Sequence, residues 1–192
     1  MTTALIVIDV QHSFTQRPSF EIDGLPAYLA AQNRLIEGFE AAGLPIVRVF
    51  HVQPDATGAD PFSLESGHVR PLEGLRDFKA DTTVHKTRHS ALVGSGLDVW
   101  LVSRGIRQLV ISGIRTEQCC ETTTRHASDL GWDVIYVPEA TLTFTMQHPD
   151  GSPLTPAQLR ARTAAVLDGR FARVMDAEAA LQAVTEQEAA IA

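Results

Sequence analysis

The sequence predicts an α/β fold, a three-layer α/β/α arrangement in which a six-stranded, mostly parallel sheet lies between two layers of helices. Short, continuously apolar segments rich in Val and Ile are typical of strands buried on both faces of a sheet. Segments of helical length separate them, which indicates right-handed crossovers between parallel strands. No internal repeat, low-complexity tract or linker interrupts this alternation, so we predict that residues 1–192 form a single domain.

Six segments have the composition of strands. The first, Ala4–Asp9, is an apolar run that ends in a carboxylate. The others are Pro45–Val52, Thr82–His85, Gln108–Ser112, Asp133–Val137 and Phe171–Met175. The third is short and the least apolar of the six, so its assignment depends most on its place in the alternation.

Five segments have the spacing of helices. Apolar residues recur at helical intervals from Tyr28 to Phe39, and Gly43 follows as a stop signal. The other helices are predicted at Leu97–Ser103, 117–130, Thr155–Leu167 and 176–188, with Gly105 and Gly131 after the first two. Residues 53–80 contain many Pro and Gly residues and form a longer connection than a usual loop, which indicates a functional role.

Composition narrows the class of protein. Hydrophobic residues make up 44% and charged residues 20% of the 192 residues, which is typical of a globular domain. The net charge of −7 argues against nucleic acid or an anionic membrane as a partner. The first apolar run lacks a basic leader, and no stretch reaches the roughly 18 apolar residues of a membrane span. We therefore predict a soluble, cytoplasmic protein.

The carboxyl ends of the predicted strands are where a ligand site is expected in an open parallel sheet. Asp9 ends the first strand, Lys86 follows the third, and the fourth leads through Gly113 to Cys119. Each residue has a structural alternative: Asp9 as a hydrogen-bond acceptor in a loop, Lys86 as a solvated lysine, and Cys119 as a small buried hydrophobe. Their occurrence at three strand ends favours a reactive site.

Cys119 and Cys120 are the two cysteines of the chain, and adjacent cysteines cannot cross-link distant segments. With Thr116 as N-cap, Cys119 would lie in the first turn of a helix, where the dipole and free N–H groups favour a thiolate and lower the cysteine pKa. The same N–H groups could hold an oxyanion. Cys120, one step round the helix, is expected to face the core.

Competing chemistry has little support in the sequence. There is no Gly-rich phosphate loop after the first strand, no Cys-x-x-Cys and no Gly-x-Ser-x-Gly. The seven histidines are scattered without the spacing of a metal site, so we predict no metal ligand and no cofactor.

Three motifs together resemble the isochorismatase-like superfamily of hydrolases. The segment ALIVIDVQHSF resembles their opening motif, VHKTRHSAL their lysine segment, and LVISGIRTEQCCETTTRHASDLGWDVIYVPEA their nucleophile segment. The motifs occur in the order of the family, and the resemblance extends over nearly the whole chain. It implies a Rossmann-like fold with a six-stranded parallel sheet, in agreement with the pattern of segments.

The resemblance also implies a catalytic triad. Cys119 would be the nucleophile, Asp9 the general base, and Lys86 the cation that holds both in a charged network. A non-proline cis peptide bond is implied at Ile114–Arg115, where it would direct the backbone N–H groups of Arg115 and Cys119 at the oxyanion. The reaction would pass through a thioester and release ammonia or an amine.

A cysteine at the nucleophile position favours hydrolysis of a C–N bond in a small amide or in a ureido or N-carbamoyl compound. The segment after the second strand lacks the Asp-x-His typical of nicotinamidases. Two alternatives stay open: an isochorismatase-type ether hydrolase, and a non-catalytic binding or assembly member of the superfamily.

Four residues are predicted to bind the substrate, namely Phe14, His89, Arg115 and Phe144. His89 and Arg115 depart from the usual family pattern, and Arg115 could bind a carboxylate in bidentate fashion. An outward or subunit-contact role for Arg115 and core packing for both phenylalanines are the alternatives. By analogy with the family we predict a homo-oligomer, a dimer or tetramer, with contacts through the C-terminal helix and residues 138–154.

Overall fold

The computed structural model describes residues 2–190, so Met1 and residues 191–192 of the predicted domain lie outside the described residues. The elements, in chain order, are β1 (Thr2–Ile8), α1 (Leu25–Ala42), β2 (Ile46–His51), β3 (Thr82–Lys86), α2 (Leu97–Ser103), β4 (Ile106–Ile114), α3 (Glu121–Asp129), β5 (Asp133–Leu142), β6 (Met146–Gln147), β7 (Pro153–Leu154), α4 (Pro156–Leu167), β8 (Arg173–Val174) and α5 (Ala177–Ala189). Short 3₁₀ turns occur at His12–Gln16 and Leu64–Ser66, and Thr116–Cys120 forms a π-helical turn.

Six strands form one sheet in the order β3-β2-β1-β4-β5-β8, and each neighbouring pair is parallel. The predicted fold class, an α/β domain with a six-stranded parallel sheet, is therefore confirmed. The short strands β6 and β7 lie outside this sheet and pair with each other in antiparallel register. β1 occupies a central position between β2 and β4, which explains its continuous apolar sequence.

Alternate residues of β1 enter two separate cores. Ala4, Ile6 and Ile8 pack in a core with apolar residues of α2, α3 and α4, while Leu5 and Val7 pack in a second core with α1 and α5. Since successive side chains of a strand point to opposite faces, this division places helices on both faces of the sheet. The structure thus has three layers, with α1 and α5 on one side and α2, α3 and α4 on the other.

β4 and β5 extend beyond their predicted ends. The fifth strand was predicted to end at Val137, just before Pro138, which has no N–H for the ladder. In the structure the pairing shifts register between Ile111 and Gly113 and then resumes, with Gly113 opposite Thr141. The two strands therefore reach farther past the sheet edge than the sequence pattern indicates, and they carry the following turn with them.

Gly113 allows β4 to lie against the end of β1. Its φ of +133° is unfavourable for other residues, and a Cβ there would lie 2.0 Å from the carbonyl oxygen of Ile8. Asp9 is the residue directly after β1 and adopts a left-handed φ of 53°, a conformation that Asp tolerates better than most residues. This close approach brings the segment after β4 next to Asp9.

The long connection 53–80 returns to the chain that follows β1. His12 N–H donates to the carbonyl oxygen of Arg70 at 2.9 Å, and Leu72 N–H donates to that of Val10 at 3.0 Å. These bonds fix part of the connection against the segment next to Asp9. Within residues 2–190, no helix has the length and apolar character needed to cross a bilayer.

Candidate active site

The structure brings Asp9, Lys86 and Cys119 together at the carboxyl edge of the sheet. Lys86 Nζ lies 2.7 Å from Asp9 Oδ2 and 3.3 Å from Cys119 Sγ. The side chains of Asp9 and Lys86 are 0% exposed, and Cys119 is 7% exposed. Three residues that are far apart in sequence thus form one buried cluster around the ammonium group of Lys86.

Each of the three residues is positioned by the end of a different strand. Asp9 follows β1, and its N–H donates to the carbonyl oxygen of Val49 in β2 at 2.8 Å. Lys86 is the last residue of β3 and pairs with His51 at the end of β2. Cys119 lies in the π-helical turn that follows β4. Parallel strands end at the same edge of a sheet, which is why the three side chains meet.

Burial and mutual attraction oppose each other in the pair of Asp9 and Lys86. Burial raises the pKa of Asp9 above its ordinary value, although Lys86 and the Cys119 thiol act to lower it. Burial acts to lower the pKa of Lys86, but the neighbouring Asp9 and Cys119 raise it overall. At neutral pH we therefore describe the pair as a carboxylate held by an ammonium ion, with the carboxylate more basic than an exposed aspartate.

The predicted lowering of the Cys119 pKa is wrong. Burial of the thiol, followed by the repulsion of the Asp9 carboxylate, raises the pKa of Cys119 to about 12, although Lys86 opposes both effects. The prediction relied on a helix N-terminus, and it left out burial and the adjacent carboxylate. In the resting protein Cys119 is a neutral thiol that donates its hydrogen toward Asp9.

The turn that carries Cys119 differs from the predicted N-terminal α-helical turn. Arg115, not Thr116, occupies the cap position, and the Thr116 hydroxyl bonds instead to the hydroxyl of Thr141 at 2.8 Å. The prediction of Thr116 as N-cap is therefore wrong, because its side chain is buried against β5. Cys120 is 0% exposed in the core, and both cysteines are free thiols.

The peptide bond between Ile114 and Arg115 is cis. Within the turn, the N–H groups of Gln118 and Cys120 donate to the Arg115 carbonyl oxygen, each at 3.2 Å. These two donors are engaged inside the turn. The backbone N–H groups predicted to face an oxyanion are those of Arg115 and Cys119, not the two that bond within the turn.

A cavity of about 390 Å³ opens onto the cluster. Asp9, Cys119, His51 and His89 contribute to its wall, together with Gln118 from the nucleophile turn. His89 Nδ1 lies 3.9 Å from Cys119 Sγ. A cavity of this size accommodates a small organic molecule next to the thiol.

The long connection after β2 forms another wall of this cavity. Gln53, Asp60 and Phe62 line the cavity from this segment. Arg17 lies at the same wall, where Nη2 is 3.2 Å from Asp60 Oδ1 and the guanidinium stacks on the Phe62 ring at 5.0 Å. The mouth of the cavity thus carries an ion pair beside an aromatic ring.

Two of the four residues predicted to bind substrate line the cavity, and two do not. Phe14 and His89 line it. Arg115 is directed away from it, with its guanidinium 3.2 Å from Glu117 and donating to the carbonyl oxygen of Phe144 at 3.2 Å. Phe144 is 1% exposed and packs against Phe14, so it supports the wall without being part of it.

Among the residues of the cavity wall that were not predicted from the sequence, His51 is the one that lies beside Lys86. It is the last residue of β2, whereas the residues predicted at or after strand ends were Asp9, Lys86 and Cys119. The predicted second strand ran on to Val52, which hid His51 inside an element. The same rule of strand ends would have identified it.

The acidic, histidine and cysteine side chains of residues 2–190 form no cluster of three or more that could hold a metal ion. His12 and His68 stack with ring centroids 5.4 Å apart, and His51 and His89 lie in the wall of the cavity. The described residues therefore do not suggest where a metal would bind.

Comparison with known families and proteins agrees with the fold. Residues 3–179 match the model of the isochorismatase domain. Over 187 residues the chain is 31% identical to YddQ of Bacillus subtilis (strain 168), an uncharacterized isochorismatase family protein, and the match covers 95% of this chain and 100% of YddQ. These matches extend over nearly all of the elements described above.

Two further similarities concern an amidohydrolase and a solved structure. The chain is 29% identical over 171 residues to the ureidoacrylate amidohydrolase RutB of Variovorax paradoxus (strain S110), covering 72% of this chain and 68% of RutB. A crystal structure from Chromobacterium violaceum ATCC 12472, assigned to the hydrolases of the isochorismatase family, superposes with a TM-score of 0.84 at 26% identity, covering 96% of this chain and 94% of that one.

Proposed function

Because this chain belongs to the isochorismatase family and is a cysteine hydrolase of that family, we propose that it cleaves the C–N bond of a small amide or ureido compound, with Cys119 as nucleophile. The observation that carries the proposal is the position of Lys86 between Asp9 and Cys119, at 2.7 and 3.3 Å. A nucleophile, a base and a cation within one buried cluster beside a cavity are the parts that covalent hydrolysis requires.

Asp9 is the proposed general base. The carboxylate accepts the thiol proton as Cys119 Sγ attacks the substrate carbonyl, and the raised pKa of Asp9 makes it a better acceptor than an exposed aspartate. Asp9 then donates this proton to the departing nitrogen, which leaves as ammonia or an amine. A water molecule that transfers its proton to Asp9 hydrolyses the resulting thioester and releases the Cys119 thiol.

Lys86 is proposed to balance charge throughout this cycle. When the thiol proton moves to Asp9, negative charge moves from the carboxylate to Sγ, and the ammonium group lies within hydrogen-bond distance of both atoms. The cation therefore remains paired whichever atom bears the charge. The backbone N–H groups of Arg115 and Cys119 are the proposed donors to the oxyanion of the tetrahedral intermediate.

The similarity to RutB supports ureido compounds as the first substrates to examine. The cavity of about 390 Å³ fits a molecule of that size, and its wall offers polar groups in His51, His89 and Gln118. The mouth carries Arg17, which can approach a carboxylate at the far end of such a substrate.

The test is release of ammonia from a panel of small amides, N-carbamoyl amino acids and ureido acids. We expect Cys119→Ala to lower kcat/KM by at least about a thousandfold, because the covalent route is lost. Cys120→Ala is the matched control, since Cys120 is the neighbouring residue in the same turn and lies in the core. Its activity should remain within a few-fold of that of the unmodified protein.

Activity that survives in Cys119→Ala would refute the proposal. Hydrolysis of a vinyl ether that persists after cysteine alkylation would favour the ether hydrolase instead. A Cys119 thiol that reacts no differently after Asp9→Asn and Lys86→Met would favour the non-catalytic alternative.

A further inference from the structure

The ammonium group of Lys86 has more acceptors around it than hydrogens. Its Nζ lies 2.7 Å from Asp9 Oδ2, 3.0 Å from the carbonyl oxygen of Arg88, 3.2 Å from His51 Nδ1 and 3.3 Å from Cys119 Sγ. An ammonium group carries three hydrogens. The two oxygens are the nearest acceptors, so His51 and Cys119 compete for the third hydrogen.

The contact with Lys86 determines which nitrogen of His51 carries the proton. An ammonium group has no lone pair, so Nδ1 of His51 can only accept from it and must be unprotonated. Burial lowers the pKa of His51 to about 4, with further lowering by Lys86 and His89 that exceeds the opposite effect of Asp60. His51 is therefore neutral at physiological pH, with its proton on Nε2.

The backbone of His51 is fixed. Its N–H donates to Gln11 Oε1 at 2.8 Å, and its carbonyl oxygen accepts from Gln11 Nε2 at 3.0 Å. The ring packs edge-on against Phe62, with centroids 5.7 Å apart. Because the backbone and the ring are both held, Nδ1 stays near Lys86 in a single side-chain rotamer.

We propose that His51 is a positioning residue that holds the third hydrogen of Lys86 while Cys119 is a thiol and gives it up to Sγ when the thiol is deprotonated. A neutral imidazole nitrogen is a better acceptor than a thiol sulfur, whereas a thiolate is a better acceptor than either. The third hydrogen therefore bonds to Nδ1 in the resting protein and to Sγ in the reacting one. No hydrogen leaves Lys86 in this exchange, and the only proton transferred is that from Cys119 to Asp9.

This inference rests on the proposed role of Cys119 as nucleophile, but it makes a prediction that needs no substrate. The hydrogen bond to His51 stabilises the resting thiol and is lost when the thiolate forms. Removing the acceptor at position 51 should thus make the thiolate easier to form. Loss of a polar neighbour would by itself make the thiolate harder to form, so the two explanations predict opposite signs.

The experiment measures the rate of Cys119 alkylation by iodoacetamide at pH 8, with fragment mass spectrometry to distinguish Cys119 from Cys120. We expect His51→Leu to accelerate alkylation about tenfold, the effect of one charge-assisted hydrogen bond. His51→Asn should stay within about twofold of the unmodified protein, because its Oδ1 takes the place of Nδ1 as acceptor. His85→Leu is the matched control, since His85 adjoins Lys86 in the same strand but is exposed and should leave the rate unchanged.

An unchanged or slower rate in folded His51→Leu would overturn the proposal. If that variant does not fold, ¹⁵N NMR of the histidines in the unmodified protein decides between the outcomes. An unprotonated Nδ1 and a protonated Nε2 of His51 between pH 5 and 8 support the proposal, and a proton on Nδ1 overturns it. Neither measurement depends on catalytic activity, so a failure of the proposed hydrolase function would be recognised separately, by Cys119→Ala retaining ammonia release.

Discussion

Replacing Lys86 with Met tests whether Asp9 and Lys86 form a buried charged pair. Methionine keeps an unbranched chain of similar length and removes the positive charge. Both side chains are 0% exposed and their charged atoms lie 2.7 Å apart, so the substitution leaves a carboxylate without its cation in the interior. Removal of one member of such a pair typically costs about 3–5 kcal/mol, and we expect a loss of that size in the free energy of unfolding at pH 8.

The cost should depend on pH in a definite direction. Burial already raises the pKa of Asp9 above its value in the unfolded chain, and Lys86 acts against this rise. In Lys86→Met the folded pKa therefore moves further up. A raised pKa means that bound protons stabilise the folded state, and this stabilisation is lost as pH rises through the folded pKa. The relevant pH range lies between the Asp9 pKa of the folded unmodified protein and the higher Asp9 pKa of folded Lys86→Met. Within it, the loss in the free energy of unfolding should shrink by about 1.4 kcal/mol for each pH unit of acidification.

Urea unfolding of both proteins from pH 5 to pH 8 measures this dependence. Arg173→Met is the control, because Arg173 pairs with Asp133 at 3.4 Å on the surface, with 48% and 53% of the side chains exposed. Such a pair is worth about 0–1 kcal/mol and should show no comparable pH dependence. Adding Asp9→Asn to Lys86→Met should abolish the slope. A pH-independent cost below about 1 kcal/mol would refute the description of Asp9 and Lys86 as a buried ion pair.

Three further predictions concern the thiol, a backbone contact and a helix cap. The alkylation rate of Cys119 should keep rising beyond pH 9, because burial and then Asp9 raise the pKa of the thiol to about 12. Asp9→Asn should increase the rate at pH 9, and a plateau of the rate below pH 8 would contradict this prediction. Gly113→Ala should cost more than about 4 kcal/mol in urea unfolding, since its Cβ would meet a backbone oxygen of β1 at 2.0 Å. Gly131→Ala is the control and should cost less, because Gly131 also has a positive φ but has open space around it; equal costs would contradict the argument. Thr155→Ala should cost about 1 kcal/mol, because it removes the capping box of α4; thermal unfolding checks this, and an unchanged midpoint would contradict it.

The sheet could be predicted from sequence because burial on both faces leaves a strong pattern. Ala4–Ile8 is apolar at every position, and in the structure its residues are at most 1% exposed. The pattern was weakest where backbone geometry rather than burial decides the boundary. The predicted fifth strand ends at Val137, yet β5 continues to Leu142 after a shift of register. The π-helical turn at Thr116–Cys120 left no periodic signal, since it is a single turn of five residues.

The candidate site could be predicted as far as the strand-end rule applies. Asp9, Lys86 and Cys119 follow from this rule, but the burial of Lys86 does not. The sequence around Lys86 is polar, and its partner Asp9 lies 77 positions earlier, directly after β1. Arg115 was predicted to face the substrate because of its charge. Its actual direction depends on Glu117 and Phe144, whose positions are set by β5 and by the turn.

The error in the Cys119 pKa changes how the proposed reaction is understood. A helix N-terminus would give a free thiolate, and Asp9 would then have no proton to accept. With a pKa of about 12 the nucleophile rests as a thiol, so a base is required at the moment of attack. Burial also raises the pKa of Asp9, which makes its carboxylate a better acceptor for the thiol proton than an exposed aspartate would be. Lys86 lies within hydrogen-bond distance of both, and His51 holds its remaining hydrogen until the thiol gives up its own.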